Sequence, residues 1–313
     1  MRRILFVKTS SLGDVVHHCP AVSDAARNLP GAQIDWAVEE AFAGVVEMHR
    51  AVRRVIPVAM RRWRRSLWSP QAWSEIRALR RTLAAERYDA VVDTQSLLKS
   101  ALVASLANGT KHGLDRASAR EPLAARFYDV VHAVPKGMHA VERNRMLAAL
   151  ALGYAVPPRA GPGPLDFGLK SVGDAAPDSQ HAVFLTMTSR ADKLWPEERW
   201  IELGRALGKK VVLPWGSEEE KRRAERIAHA LGGATVPSRM SFSGLGNLFQ
   251  RASCVIGLDT GLTHLAAALG VRTVGIYCGS APALTGLYGS PNAVNLGSVG
   301  SAPSVADVVM ALA

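Results

Sequence analysis

Residues 253–270, SCVIGLDTGLTHLAAALG, state most clearly how this chain folds. Cys254, Val255, Ile256 and Leu258 form a short apolar run with β-branched members, bounded by polar residues, the pattern of a buried strand. Leu262, Leu265, Ala266 and Leu269 recur at helical spacing, and Gly270 supplies the stop. Between them Asp259-Thr260-Gly261 turns from the carboxyl end of the strand into the amino end of the helix. Free backbone N–H groups and the positive end of a helix dipole meet at such a turn, which suits it to hold phosphate. Gly261 allows close approach, Thr260 offers a hydroxyl, and His264 stands in the first helical turn. The same residues also read as an ordinary Asp/Thr cap with an exposed histidine, and this stretch alone leaves both readings open.

The strand–turn–helix unit recurs on both sides. Residues 4–7 (ILFV) form a strand, followed by Lys8-Thr9-Ser10-Ser11-Leu12-Gly13-Asp14 and a helix to about Asn28. Residues 33–38, 52–58 and 88–93 read as further strands, 74–86 and 97–106 as helices, and 117–150 as mostly helical. A proline- and glycine-rich stretch, 155–177, reads as an interdomain linker. After it come strands at 182–185, 211–214 and 273–277, helices at 197–207 and 218–231, and a short final helix at 305–312. Alternating strands and helices predict parallel sheets covered on both faces. The expected organisation is two α/β, Rossmann-like domains, 1–160 and 161–313, facing one another across a central cleft. The final helix is a candidate to pack back on the first domain.

A chain of 313 residues, 48% of them hydrophobic, is long enough for two cores of about 150 residues each. Cys19, Cys254 and Cys278 fit neither a disulfide framework nor zinc spacing, and point to a reducing compartment. No signal-peptide core and no spanning apolar run is present, so a cytoplasmic protein is expected. Charge is lopsided: residues 1–160 hold 24 of the 38 Lys and Arg but 14 of the 27 Asp and Glu, a net +10 against +1 for the rest. The first half is therefore expected to meet something anionic. Nucleic acid, an anionic membrane surface and an acidic small substrate all remain open.

Several residues are placed for chemistry. Asp14, at the start of a helix behind a hydroxyl-rich turn, reads as a cap or as a general base. Arg61, Arg62, Arg64 and Arg65, beside Trp63, Trp68 and Trp73, suit carboxylates, phosphates or nucleic acid, and equally a solvated face. Thr188, Ser189 and Lys193 follow a strand and precede a helix that opens on Pro196, a set able to hold phosphate. Glu220 reads as a ribose ligand or as part of a salt-bridged helix face. There is no G-x-G-x-x-G, no Walker A sequence, no Asp-x-Asp pair and no spaced histidine pair, so phosphate would be held by lysine, hydroxyls and a helix end.

Taken in order, Lys8 to Asp14, Arg61 to Arg65, Thr188-Ser189 with Lys193-x-Trp195-Pro196, and Asp259 to His264 resemble the lipopolysaccharide heptosyltransferases, glycosyltransferase family 9, over nearly the whole chain. Trp36 to Glu40, Lys99-Ser100, Lys111-His112-Gly113 and His139 to Arg143 support the likeness. The arginine segment and Ala119 to Ala124 (AREPLA) resemble the branch that adds the first heptose. Tyr277 to Pro282 departs from the family's glycine-proline-threonine turn, and Ser189 stands where threonine is usual.

The resemblance implies the GT-B fold and inverting transfer of L-glycero-D-manno-heptose from ADP-heptose to the Kdo of Kdo2-lipid A, with no metal in the active site. It implies Asp14 as general base. Thr188, Ser189, Lys193, Glu220, Asp259, Thr260, Gly261 and His264 would bind the donor. Ser10, Ser11, Gly13, Arg61, Arg62, Arg64, Arg65 and Arg120 would bind the acceptor. Peripheral contact with the cytoplasmic face of an anionic inner membrane is expected, without nucleic acid. A transferase for a later core sugar and a basic nucleic-acid-binding protein are the alternatives.

Overall fold

The computed structural model describes residues 2–66, 68–158, 164–169, 180–188 and 190–313. The chain divides into two units, Met1–Arg159 with Asp166–Gly168, and Ala160–Leu165 with Leu169–Ala313. The single boundary expected at 160/161 is thus an interleaved one, and most of the proline- and glycine-rich stretch lies outside the described residues.

Among the described residues the first unit holds a six-stranded parallel sheet: β1 (Arg3–Val7), β2 (Gln33–Glu39), β3 (Val52–Val58), β4 (Ala90–Asp93), β5 (Lys111–Leu114) and β6 (Val130–His132), in spatial order 3-2-1-4-5-6. The central strands are buried along nearly their whole length, which their unbroken apolar runs dictate. Residues 117–150, expected to be mostly helical, instead contain a 3-10 stretch (Pro122–Phe127), β6, and a helix only from Ala140 to Leu152. β5 (KHGL) and β6 (VVH) are too short and too polar to announce themselves, and β6 leaves Val130 and Val131 exposed at the sheet edge.

The second unit repeats the plan with β7 (His181–Leu185), β8 (Lys210–Val212), β9 (Cys254–Leu258), β10 (Thr273–Tyr277) and β11 (Ala293–Gly297), all parallel, in order 11-10-9-7-8. Numbered within the unit this is 2-1-3-4-5, the other common doubly wound order. Gly257 on β9 is required by packing: a Cβ there would lie 2.2 Å from Thr263 Oγ1 and 2.9 Å from Leu185 Cβ, so only glycine lets the following helix sit this close. Trp195 and Trp200 meet edge-to-face at 5.1 Å in the core, which also takes Val305 and Val308 of the final helix (Val305–Ala311). Val309, Ala311 and Leu312 of the same stretch pack against that core as well. The helix Phe242–Arg251 and strand β11 were not expected from the sequence.

The short return of Asp166–Gly168 to the first unit is well anchored. Asp166 pairs with Arg50 and with Arg27, the Gly168 carbonyl accepts the Arg50 N–H at 2.8 Å, and a Cβ on Gly168 would strike His49 at 2.3 Å. One residue earlier, the Leu165 N–H donates to the Gly289 carbonyl of the second unit at 2.7 Å. No helix among the described residues is long and apolar enough to cross a membrane.

Candidate active site

In each unit the strand order reverses at one place, and there the loops leaving two neighbouring strands part to opposite faces of the sheet. This is where ligands bind in open α/β folds. In the first unit the reversal lies between β1 and β4, and in the second between β7 and β9.

At the first reversal the turn after β1 is clamped by Gln95, which follows β4. Gln95 Oε1 accepts from Thr9 N (2.6 Å), Thr9 Oγ1 (2.8 Å) and Ser10 N (3.2 Å), and its Nε2 donates to the Ser10 carbonyl (2.8 Å). Below it Asp93 is fully buried. Burial pushes its carboxyl up, opposed by hydrogen bonds from Tyr128 Oη (2.7 Å), Ser100 Oγ and the Ser96 and Gln95 N–H groups. Lys8 is buried and donates to the Thr94 carbonyl at 3.0 Å, its pKa lowered by desolvation. The turn is thus held from both sides by hydrogen bonds within the protein, the kind of frame on which a pre-organised site can be built.

Asp14 sits in the first turn of the helix Leu12–Asn28. Its Oδ2 accepts from Ser11 N (2.8 Å) and Ser11 Oγ (3.1 Å), and Arg120 Nη1 lies 3.9 Å from the same oxygen. Oδ1 accepts no hydrogen bond from any described residue. Cap and base were posed as alternatives for Asp14; one carboxylate has an oxygen for each. Ser10 Oγ accepts from Lys99, whose pKa is lowered by burial despite the nearby Glu39 and Asp14. Lys99 belongs to this group but was not singled out as a site residue, since its reach to Ser10 depends on β1 and β4 being neighbours. Arg120 is placed by Glu121, whose N–H donates to the Ser96 carbonyl and whose Oε2 accepts the Leu98 N–H. Gly13 lies within the same helical turn.

The four arginines of the Arg61 to Arg65 segment are not equivalent. Arg62 is held by Glu75 at 2.7 Å and Glu40 at 3.1 Å, and Glu75 also accepts from buried Trp63 Nε1. Arg62 therefore ties the segment to Glu40 and Glu75. Arg61, Arg64 and Arg65 are exposed and have no carboxylate partner among the described residues; Arg61 lies over the Phe42 ring at 5.0 Å.

At the second reversal everything centres on Asp259. Its Oδ2 accepts from Lys193 Nζ (2.6 Å) and Ser280 Oγ (2.6 Å), His264 Nε2 lies 3.6 Å from Oδ1, and Thr188 Oγ1 donates to its carbonyl (3.3 Å). Burial alone would raise the Asp259 carboxyl; the contacts from His264, Lys193 and Ser280 win and hold it below the usual carboxylate range. Two residues beyond Lys193, the buried Trp195 anchors the chain, its Nε1 donating to the Pro303 carbonyl at 3.1 Å. Thr260 stands at the N-cap position of the helix Gly261–Ala268 without a side-chain capping bond, and buried Thr263 donates to the Leu258 carbonyl at 2.7 Å. Ser280 was missed as a site residue: it lies in the one turn that departs from the family pattern. Ser189 lies outside the described residues. Glu220 does not join the Asp259 group; its carboxylate accepts from Gly216 N (2.6 Å) and Ser217 N (3.3 Å) after β8, capping the helix Glu218–Leu231.

Two doubly wound parallel sheets in sequence, each with a polar turn at its strand reversal, make the GT-B architecture of glycosyltransferases. The sequence model of glycosyltransferase family 9 (heptosyltransferase) matches residues 76–309. The chain is 47% identical to lipopolysaccharide heptosyltransferase 1 of Pseudomonas aeruginosa, over 95% of this chain and 84% of that one. Its structure is similar to the E. coli heptosyltransferase WaaC with ADP, with a TM-score of 0.91, 42% identity and 98% of both chains covered. The same enzyme with ADP-2-deoxy-2-fluoro heptose matches with a TM-score of 0.88, at 42% identity and 98% coverage of both chains. The chain belongs to glycosyltransferase family 9 and is a heptosyltransferase, which sets the nucleic-acid-binding alternative aside.

Proposed function

We propose that this enzyme transfers heptose from ADP-L-glycero-β-D-manno-heptose, with inversion, to a Kdo hydroxyl of Kdo2-lipid A, adding the first heptose of the lipopolysaccharide inner core. The observation that carries the reading is Asp14, with one oxygen committed to the helix, the other open and Arg120 beside it, in the unit that also presents the exposed Arg61, Arg64 and Arg65. Asp14 Oδ1 takes the proton from the acceptor hydroxyl as its oxygen bonds to the anomeric carbon. The bond from that carbon to the β-phosphate oxygen breaks, and ADP leaves. Arg61, Arg64, Arg65 and Arg120 face the carboxylates and phosphates of the acceptor, with Ser10 and Lys99 nearer the base.

The donor belongs to the second unit. The ADP-sugar analogue bound by the E. coli relative supports a nucleotide-sugar donor here. Lys193, Thr188 and the Thr260–Gly261 helix end take the diphosphate, and Asp259 and His264 orient it. Lys193 supplies the cation at this site, so transfer proceeds without a divalent metal. The enzyme works at the cytoplasmic face of an anionic inner membrane. The surplus charge of the first half and the 99% exposed Trp68 next to Arg64 and Arg65 fit that surface.

ADP release from ADP-heptose, with and without deacylated Kdo2-lipid A, tests the reading in wild type and Asp14→Asn. Acceptor-dependent release should fall by about 10²–10⁴ in the variant, the usual worth of a general base, while ADP binding persists. Release that survives discards Asp14 as base; no acceptor-dependent release from wild type discards Kdo2-lipid A.

A further inference from the structure

Glu39 is a buried carboxylate to which the mechanism above gives no part. It ends β2, is 2% exposed, and joins three pieces of the first unit. Its N–H donates to the Thr9 carbonyl at 3.1 Å, fastening it to the turn that leads to Asp14. Its Oε1 accepts the Arg61 N–H at 3.0 Å, fixing the start of the arginine segment. Lys99, bonded to Ser10 Oγ, feels Glu39 more strongly than any other nearby charge.

A neutral acceptor would satisfy the Arg61 N–H equally well. Burying a full charge there is costly unless neighbouring cations use it. The cation that feels it is Lys99, bonded to Ser10 Oγ in the turn before Asp14, while the Arg61 backbone anchors the arginine segment on the same carboxylate. We propose that Glu39 is a positioning residue of the transfer reaction: it holds the arginine segment and Lys99 in register with the Asp14 turn, so that anionic groups of the acceptor and its reacting hydroxyl are presented together. The inference rests on the acceptor reading of the first unit.

Glu39→Gln keeps an oxygen for the Arg61 N–H and removes only the charge; Glu39→Ala removes both. Lys99 is faced by Glu39 and Asp14, which favour its charged form, and by Arg61 and Arg64, which oppose it. Burial already lowers its pKa, and losing Glu39 lowers it further. The alkaline fall of kcat/KM for deacylated Kdo2-lipid A should therefore start at lower pH in Glu39→Gln than in wild type. In Glu39→Ala the acceptor KM should rise roughly tenfold, about what losing one charge-assisted hydrogen bond produces. ADP affinity and Tm should stay close to wild type in Glu39→Gln.

An unchanged acceptor KM and pH profile in Glu39→Gln, with normal wild-type turnover, overturns the proposal. So does a parallel loss of ADP affinity and acceptor affinity with a lowered Tm, the mark of a purely structural role. If Glu39→Ala does not fold, the near-isosteric Gln variant decides alone. If wild type shows no acceptor-dependent ADP release, the acceptor reading falls, and the role of Glu39 with it.

Discussion

The two strand reversals use one backbone device with opposite electrostatics. At β7/β9 the carboxylate is answered on the spot: Asp259 gathers Lys193, Ser280 and His264, and the group closes on itself. At β1/β4 Asp14 has Arg120 at 3.9 Å and Lys99 nearby, while Arg61, Arg64 and Arg65 have no carboxylate partner among the described residues. On the proposed function the closed group exchanges partners to admit a diphosphate, Lys193 trading its Asp259 contact for phosphate oxygens. An open, over-charged group waits for an anion to complete it. Position in the fold makes both places candidate sites, and their charge balance matches the ligand that the proposed function gives to each.

The largest effect that would sharpen this contrast is expected from Lys193→Ala. Lys193 is the cation offered to the diphosphate, and hydrogen bonds to charged groups are worth roughly 1.5–3 kcal/mol, so ADP affinity by calorimetry should fall about tenfold to a hundredfold, with acceptor KM little changed. Equal losses for both ligands would erase the division of labour. Next comes the double change Arg61→Ala with Arg64→Ala. Acceptor KM should rise about tenfold or more, with a weaker salt dependence, while ADP affinity holds. A fall in ADP affinity would break the comparison from the other side. The smallest effect belongs to Ser280→Ala, which removes one hydrogen bond from Asp259 and should weaken ADP binding by about 1 kcal/mol. No change there would confine the closed group to Asp259, Lys193 and His264.

What the sequence disclosed follows how local each feature is. The unit around Asp259 was legible because strand, turn and helix lie within 253–270, and β9 and the helix Gly261–Ala268 fall where the periodicity puts them. The strands β5, β6 and β11 escaped because residues such as Lys111, His112 and Asn295 break their apolar character. Gln95, Lys99 and Glu39 act across strand neighbours, and nothing in their own spacing says that β1 lies between β2 and β4. Arg62 and Arg61 look alike in sequence; only the position of Glu75, one helix further on, separates the tether from the exposed cation.

The interleaving at 165–168 bears on how this protein can be divided into parts. A fragment ending at Arg159 would strip Arg27 and Arg50 of Asp166 and leave the space beside His49 unfilled. A second fragment beginning after Gly168 would lose the strap that Leu165 lays on Gly289. No single cut in the gene gives each half its full complement. Independently produced halves would have to overlap, the first running through Gly168 and the second starting upstream of Leu165, so that the seam is encoded twice.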